Sequence, residues 1–343
     1  MQIYGEITKI EYTPFLCDNL KEYDINKLDE ALSQSGSFIL KIDEKNKIAV
    51  SRWVSPKRTR SYPYARVYDT LSFMGKKITI IPVIKDEGND GDRDFLQWDT
   101  ISLMSLFGIY VIIAYYVEAV KNPKYQNKIT VQKFDTNYIK DKINELRSYQ
   151  SDALHWNLEQ IDKIYQIAKL ALDSYNRISQ KLNVKMHSME DAQKRIENLY
   201  KEKEKFKELS RELANKAQRR ESITIQPNES LSGTKAMMTI KNYIGGYYYF
   251  TCDEVEIHDN ELYLIEGKHG KSRYPSVNDV KDGLLKMILY TNLEKICYKN
   301  KEYKASPVLK LTTEGETDIL PDYYEKLLKE AQENKFKIIK KKV

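Results

Sequence analysis

Cysteine is scarce in this chain of 343 residues, with three in all. Cys17, Cys252 and Cys297 lie far apart, and no Cys-x-x-Cys occurs. That excludes a four-cysteine zinc or iron–sulfur site and fits a reducing compartment. Histidine is nearly as sparse: His155, His187, His258 and His269 show no His-Glu-x-x-His spacing and no cysteine pairing, so zinc is not expected. There is no Gly-x-Ser-x-Gly elbow to support a nucleophilic triad. Gly267-Lys268-His269-Gly270-Lys271-Ser272 ends like a phosphate-binding loop, but the glycine required five positions before Gly270 is Ile265. Long apolar runs are missing too. The longest, around Ile109 to Val117, is too short to cross a bilayer. The opening residues Met1-Gln2-Ile3-Tyr4-Gly5-Glu6 lack the basic-then-apolar pattern of a leader. The expectation is a soluble, cytoplasmic protein with no membrane association.

Glycine is absent between Gly108 and Gly233, and proline between Pro123 and Pro227. Across that interval apolar residues recur in alternating three- and four-residue steps: Ile161, Ile164, Ala168, Ala171, Tyr175, Ile178 and Leu182, then Met189, Ala192, Ile196 and Leu199, and on to Phe206, Leu213 and Ala217. This is a heptad-like pattern and predicts helix over 137–221. One continuous helix would be on the order of 120 Å long. A hairpin is more compact, and Ser188-x-x-Asp191 offers a fresh N-terminus after Asn183. The heptad phase nevertheless runs through Lys185 unbroken. Either way the block reads as a spacer or dimerisation element, and its charged stretch Lys194 to Arg220 as a solvated helix face. A polar linker, 222–233, follows.

Residues 1–130 read as an α/β region. Strands are expected at 37–42 and 47–54 around an Asp43-Glu44-Lys45-Asn46 turn, and more deeply buried ones at 77–84 and 109–116, with helix from Asp94 to Leu106. Net charge is only +6, which permits nucleic-acid binding without arguing for it. Locally, though, Arg52, Lys57, Arg58, Arg60 and Arg66 fall in a stretch with no acidic residue, interleaved with Trp53, Tyr62, Tyr64 and Tyr68. Such a segment can meet phosphates and read base edges, or simply be a solvated basic loop. The acidic stretch Asp86-Glu87-Gly88-Asn89-Asp90-Gly91-Asp92-Arg93-Asp94, with Asp99 beyond it, is a second candidate metal site. It lacks the spacing of a calcium-binding loop, and a polar turn or a loop folding against DNA suits it better.

The most informative stretch runs from Tyr247 to Tyr290. Residues either side of His258-Asp259-Asn260 are rich in aromatic and β-branched types, predicting two strands joined through a two-residue Asp259-Asn260 loop. In that register His258 faces Glu261, Ile257 faces Leu262, Val255 faces Leu264 and Asp253 faces Glu266. Val255, Ile257, Leu262 and Leu264 then share a face that Asp253, Glu266 and Lys268 continue, while Glu254 and Glu256 point the other way. Buried carboxylates need partners, and a divalent cation could supply one. Ser276 with Asp279 predicts a capped helix bearing Val280, Leu284, Met287 and Ile288, and Ser306 to Leu311 a further strand.

Strand, strand, helix, strand with this acidic cluster resembles the core of the PD-(D/E)xK nuclease superfamily. Glu266-Gly267-Lys268 matches its ExK element, and Asp253, 13 positions before Glu266, its upstream aspartate, with Cys252 where the family often has proline. Ser55-Pro56-Lys57-Arg58-Thr59-Arg60 and Gly91-Asp92-Arg93-Asp94 are also similar to bacterial restriction endonucleases. The resemblance implies an α/β nuclease core with a mixed sheet over 234–343, alongside the N-terminal α/β region and the long coiled-coil-like middle. It further implies a type II site-specific deoxyribonuclease, using Mg²⁺ to hydrolyse phosphodiester bonds of double-stranded DNA and leave 5′-phosphates. Asp253 and Glu266, helped by the Gly267 carbonyl, would hold the metal, and Lys268 would act on the attacking water. His269 and Lys271 could contact phosphate, and Glu229 is a candidate further acid. A homodimer and a cognate DNA methyltransferase would be the partners. A repair or recombination nuclease, a defence effector, or a non-enzymatic DNA-binding protein are the competing readings.

Overall fold

A computed structural model describes residues 1–53, 63–201, 234–242, 247–315 and 320–343. Lys57, Arg58, Arg60 and Glu229 lie outside the described residues. The chain forms two compact units, each assembled from separated stretches. The first comprises Met1–Asn19, Pro56–Met74 and Arg211–Val343, and the second Leu20–Ser55 and Gly75–Ser210. This division differs from the consecutive blocks 1–130, 137–221 and 234–343 expected above: the chain contributes its first strand to one unit, leaves, and returns twice.

In chain order, β1 (Gln2–Ile7) belongs to the first unit, and β2 (Glu22–Asp24), α1 (Leu28–Gln34), β3 (Ser37–Lys41) and β4 (Lys47–Arg52) to the second. The short helix α2 (Pro63–Tyr68) is back in the first. The second unit resumes with β5 (Lys77–Pro82), β6 (Ile84–Asp86), β7 (Arg93–Phe95), α3 (Trp98–Leu106), β8 (Tyr110–Ala114), β9 (Tyr116–Lys121) and β10 (Ile129–Phe134). It ends with helices α4 (Thr136–Ser148), α5 (Ala153–Asp162), α6 (Ile164–Leu182) and α7 (Met189–Lys201). The first unit is completed by β11 (Thr234–Asn242), β12 (Tyr247–His258), β13 (Glu261–Gly270), α8 (Val277–Thr291), β14 (Glu294–Tyr298), β15 (Lys301–Thr313), α9 (Tyr324–Glu333) and β16 (Lys337–Lys342).

The second unit is built on a five-stranded mixed sheet, β2-β3-β4-β5-β8. Its β3–β4 hairpin turns where expected, because the Asp43 carboxylate accepts from the Lys45 and Asn46 N–H groups at 2.9 Å each. The helical stripe is used differently from a dimer seam. Ile164, Ile167, Ala168, Ala171, Tyr175 and Ile178 are buried inside this unit, and α6 packs on β9 while α5 packs on β8. The heptad spacing could not tell a partner helix from a sheet. The break does come after Asn183, which closes α6 in the left-handed conformation, and the Ser188 hydroxyl then accepts from the Asp191 N–H at 3.1 Å. Residues 136–201 are thus four helices, not one rod.

The first unit carries a seven-stranded mixed sheet, β13-β12-β11-β1-β14-β15-β16, in which β13 also pairs with β15. That extra pairing rolls the sheet shut into a closed barrel of six strands, with β16 added outside along β15. β1 runs parallel to β11, and β13 parallel to β15; β11–β12 and β12–β13 are antiparallel. Helix α8 lies across β13 and β15. It starts at a complete capping box, the Asp279 N–H on the Ser276 hydroxyl at 3.3 Å and the Ser276 N–H on the Asp279 carboxylate at 3.1 Å. Such a cap contributes about 1 kcal/mol. Val280, Leu284, Leu285, Met287, Ile288 and Leu289 are buried, each worth about 1.5–3 kcal/mol of transfer free energy. This apolar docking fixes the helix over the end of the hairpin.

Candidate active site

The β12–β13 hairpin has the expected register: His258 opposite Glu261, Ile257 opposite Leu262, Val255 opposite Leu264. Asp259 takes φ 52° in the turn, a left-handed conformation that aspartate tolerates. At the open end, the Gly267 N–H donates to Asp253 Oδ2 at 2.9 Å, which brings the Asp253 carboxylate beside Glu266. Glu254 lies on the other face, where its carboxylate takes a 2.8 Å ion pair from Lys310. The two sets of acids are therefore separated by the sheet itself.

Glu266 is buried, and both of its oxygens carry an ammonium group. Lys268 Nζ is 3.0 Å from Oε1, and Lys286 Nζ is 2.8 Å from Oε2. Lys286 also donates to the Thr251 carbonyl at 3.1 Å, and Lys268 lies 3.7 Å from Asp282 Oδ2. Asp282 Oδ1 is buried without a hydrogen-bond partner. Lys286 and Asp282 both come from α8, one turn apart, so the helix supplies two of the five charged side chains gathered here. An added Cβ on Gly283, between them, would meet Lys268 Cε and Leu309 Cδ1 at 3.0 Å each. That glycine lets the helix approach the Lys268 side chain.

The carboxylates divide their charge unequally. Burial raises Glu266, the neighbouring Asp253 raises it further, and the lysines oppose both; the outcome is a value pushed up to about 7. Burial also acts to raise Asp253, but Lys286, Lys268 and the Gly267 N–H outweigh it and hold Asp253 below the ordinary range. Lys268 and Lys286 are both raised: burial works against their charge, and Glu266 more than restores it. Just beneath, Cys252 is fully buried and pushed up to about 12 by desolvation, so it is no nucleophile.

Two hard carboxylates pressed together, one pushed up by the other, suit a divalent cation that would relieve their repulsion. Asp253 and Glu266 fit as its protein ligands, with the Gly267 carbonyl adjacent in the chain. Among the described residues no group of three or more His, Cys, Asp or Glu side chains is gathered as a closed metal cage.

The rival acidic loop is internally committed. Asp86 Oδ1 accepts from the Gly88 N–H and sits 2.8 Å from His187 Nδ1; Glu87 pairs with Lys85 at 3.0 Å and Lys128 at 3.3 Å; Asp90 accepts from the Asn127 N–H at 2.8 Å. Gly88 needs its φ of +89° there, and a Cβ would strike the Asn127 carbonyl. Asp99 is buried in the first turn of α3, where its Oδ1 accepts from the Thr100 N–H at 2.8 Å, and burial pushes it up to about 7. This is a folded turn.

The described members of the expected nucleic-acid contacts belong to both units. Arg52 ends β4 in the second unit, whereas Arg66 sits on α2 in the first. His269 points to the face opposite Lys268, 3.0 Å from the Thr312 hydroxyl, and Lys271 is exposed. Sequence reasoning missed Lys286, Asp282 and Tyr64. Tyr64 OH lies 2.8 Å from Tyr248 OH and contributes to the electrostatics of Lys286, so α2 reaches the cluster. A signal for Lys286 was present: it is the one charged side chain in the apolar run Gly283–Tyr290.

No family model, curated protein or solved structure matches this chain. No helix among the described residues is long and apolar enough to cross a membrane.

Proposed function

We propose that this protein is a Mg²⁺-dependent nuclease of the PD-(D/E)xK type, acting on double-stranded DNA as a sequence-specific endonuclease of the type II restriction class. The observation that carries this reading is the meeting of Asp253, Glu266 and Lys268 at the open end of the hairpin, just beyond its paired residues and under α8: the Gly267 N–H holds the Asp253 carboxylate, and Lys268 pairs with Glu266. The parallel pairing of β13 with β15 after that helix supports it as well.

Asp253, Glu266 and the Gly267 carbonyl would hold Mg²⁺, which when bound lowers the pKa of water and offsets phosphate charge. The residues themselves divide the remaining work. Lys268 keeps its proton because Glu266 holds its value high, so it is not a general base. It donates to the attacking water and to the phosphoryl oxygens, where negative charge grows as the water oxygen bonds to phosphorus and the P–O3′ bond breaks; the attacking water gives up its proton to solvent, and the departing O3′ takes one from solvent. Asp282, on the far side of Lys268, orients that ammonium group. Burial under α8 keeps bulk water from screening these interactions.

Incubation of circular and linear duplex DNA with the protein, in Mg²⁺ or EDTA, tests the proposal. Discrete fragments that vanish with EDTA and with Lys268→Ala are expected. A smear would replace sequence specificity with a repair or defence nuclease. Failure of the wild type to cut in any divalent cation, or cutting that survives Lys268→Ala, would overturn the assignment.

A further inference from the structure

The geometry points to a second role within this cluster, resting on the assignment of Asp253 and Glu266 as cation ligands: we propose that Lys286 is a built-in competitor for the divalent cation, its ammonium group holding the carboxylate pair in the metal-free protein and thereby setting how tightly the site loads.

Three observations carry this. The first is position. Lys286 Nζ makes the shorter of the two ion pairs to Glu266, at 2.8 Å against 3.0 Å for Lys268. The second is commitment. Lys268 has another acid, Asp282, within 3.7 Å, whereas the other polar contact of Lys286 is the neutral Thr251 carbonyl at 3.1 Å. The charge of Lys286 is spent on Glu266 and its neighbour Asp253. The third is location. Lys286 rises from the middle of the apolar run Gly283–Tyr290, where an ammonium group is costly unless the carboxylates below need it. An ammonium and a hard divalent cation seek the same oxygens. A cation that binds must therefore displace Lys286 from Glu266 or bind against its repulsion. Lys268, with Asp282 at 3.7 Å as a second acid, can stay in place.

Calorimetric titration of the full-length protein with Ca²⁺ at pH 8, without nucleic acid, tests this. Lys286→Met keeps the stem and removes the charge; it should bind Ca²⁺ at least about tenfold more tightly than the wild type. Its melting temperature should fall in EDTA and rise more with Ca²⁺ than that of the wild type. Lys286→Arg, which keeps the charge, should stay within about threefold of wild-type affinity. If Lys286→Met is unfolded in EDTA, a cooperative melt restored by Ca²⁺ supports the proposal, and a chain that stays unfolded with Ca²⁺ overturns it. Equal or weaker Ca²⁺ binding by Lys286→Met, or a larger gain from Lys268→Met, also overturns it. Failure of the nuclease reading is seen separately, as a wild type that binds Ca²⁺ yet cuts no DNA with Mg²⁺.

Discussion

Residues 86–94 hold five acidic side chains in nine positions, and residues 253–268 hold six in sixteen, yet the two stretches spend that charge differently. In the loop the carboxylates described above are satisfied by N–H groups, by His187 and by lysines, and the result is a folded turn. In the hairpin, alternation sorts the acids by face. Glu254 is neutralised by Lys310 on one side, while Asp253 and Glu266 are forced together on the other under two lysines. Acid density alone does not make a site. What matters is whether the fold leaves carboxylates facing each other with partners that another cation could replace.

The strongest way to break this comparison is to neutralise each stretch in turn. Asp253→Asn should lower the DNA cleavage rate by about a thousandfold or more, while Asp92→Asn with Asp94→Asn should change it by less than about threefold. Reversed results would exchange the two assignments. On the stability side, Asp86→Asn should cost about 1–3 kcal/mol in urea unfolding by weakening the Gly88 and His187 contacts, and leave the cleavage rate of folded protein unchanged.

A pH series sharpens the contrast. Glu266 is raised to about 7, so below that value a proton competes for the same oxygens as a cation. Mg²⁺ affinity should fall about tenfold or more between pH 8 and pH 6 in calorimetric titrations. The sign for folding is the opposite. A raised Glu266 favours the fold at low pH, and that contribution is lost as pH rises through about 7, whereas the contribution of the depressed Asp253 is lost as pH falls. Cation affinity that is flat over this range would mean that Glu266 is not a ligand.

The smallest effects come from the two glycines at the site. Gly283→Ala should push the Lys268 stem by a few tenths of an ångström and slow cleavage about three- to tenfold. Gly267→Ala, whose Cβ would meet only Asp253 Oδ2 at 3.7 Å, should stay within about twofold of wild type. A ranking the other way round would mean that the helix does not set the lysine.

Local chemistry made much of this legible. The period-two alternation and the Asp259-Asn260 turn fixed the hairpin register, because a slip of one residue would have put Asp253 and Glu266 on opposite faces. Ser276 and Asp279 announced α8, and Asp43 the β3–β4 turn. The rest depends on contacts distant in sequence. β1 pairs parallel with β11 across more than two hundred residues, and no local pattern encodes that partner. The stripe on α6 has the spacing of a coiled coil and instead meets a sheet, since period reports a face and not what covers it. Lys286 was hidden for a related reason: its place in the cluster follows from how α8 is rotated on β13 and β15, which its own sequence does not state.

The most direct test of the central claim is a crystal structure with Mn²⁺ and an anomalous difference map. A peak bonded to the Asp253 and Glu266 carboxylates at about 2.0–2.2 Å is expected, with Lys286 withdrawn from Glu266. A peak in the 86–94 loop, or an ordered cation that avoids both hairpin carboxylates, would contradict it.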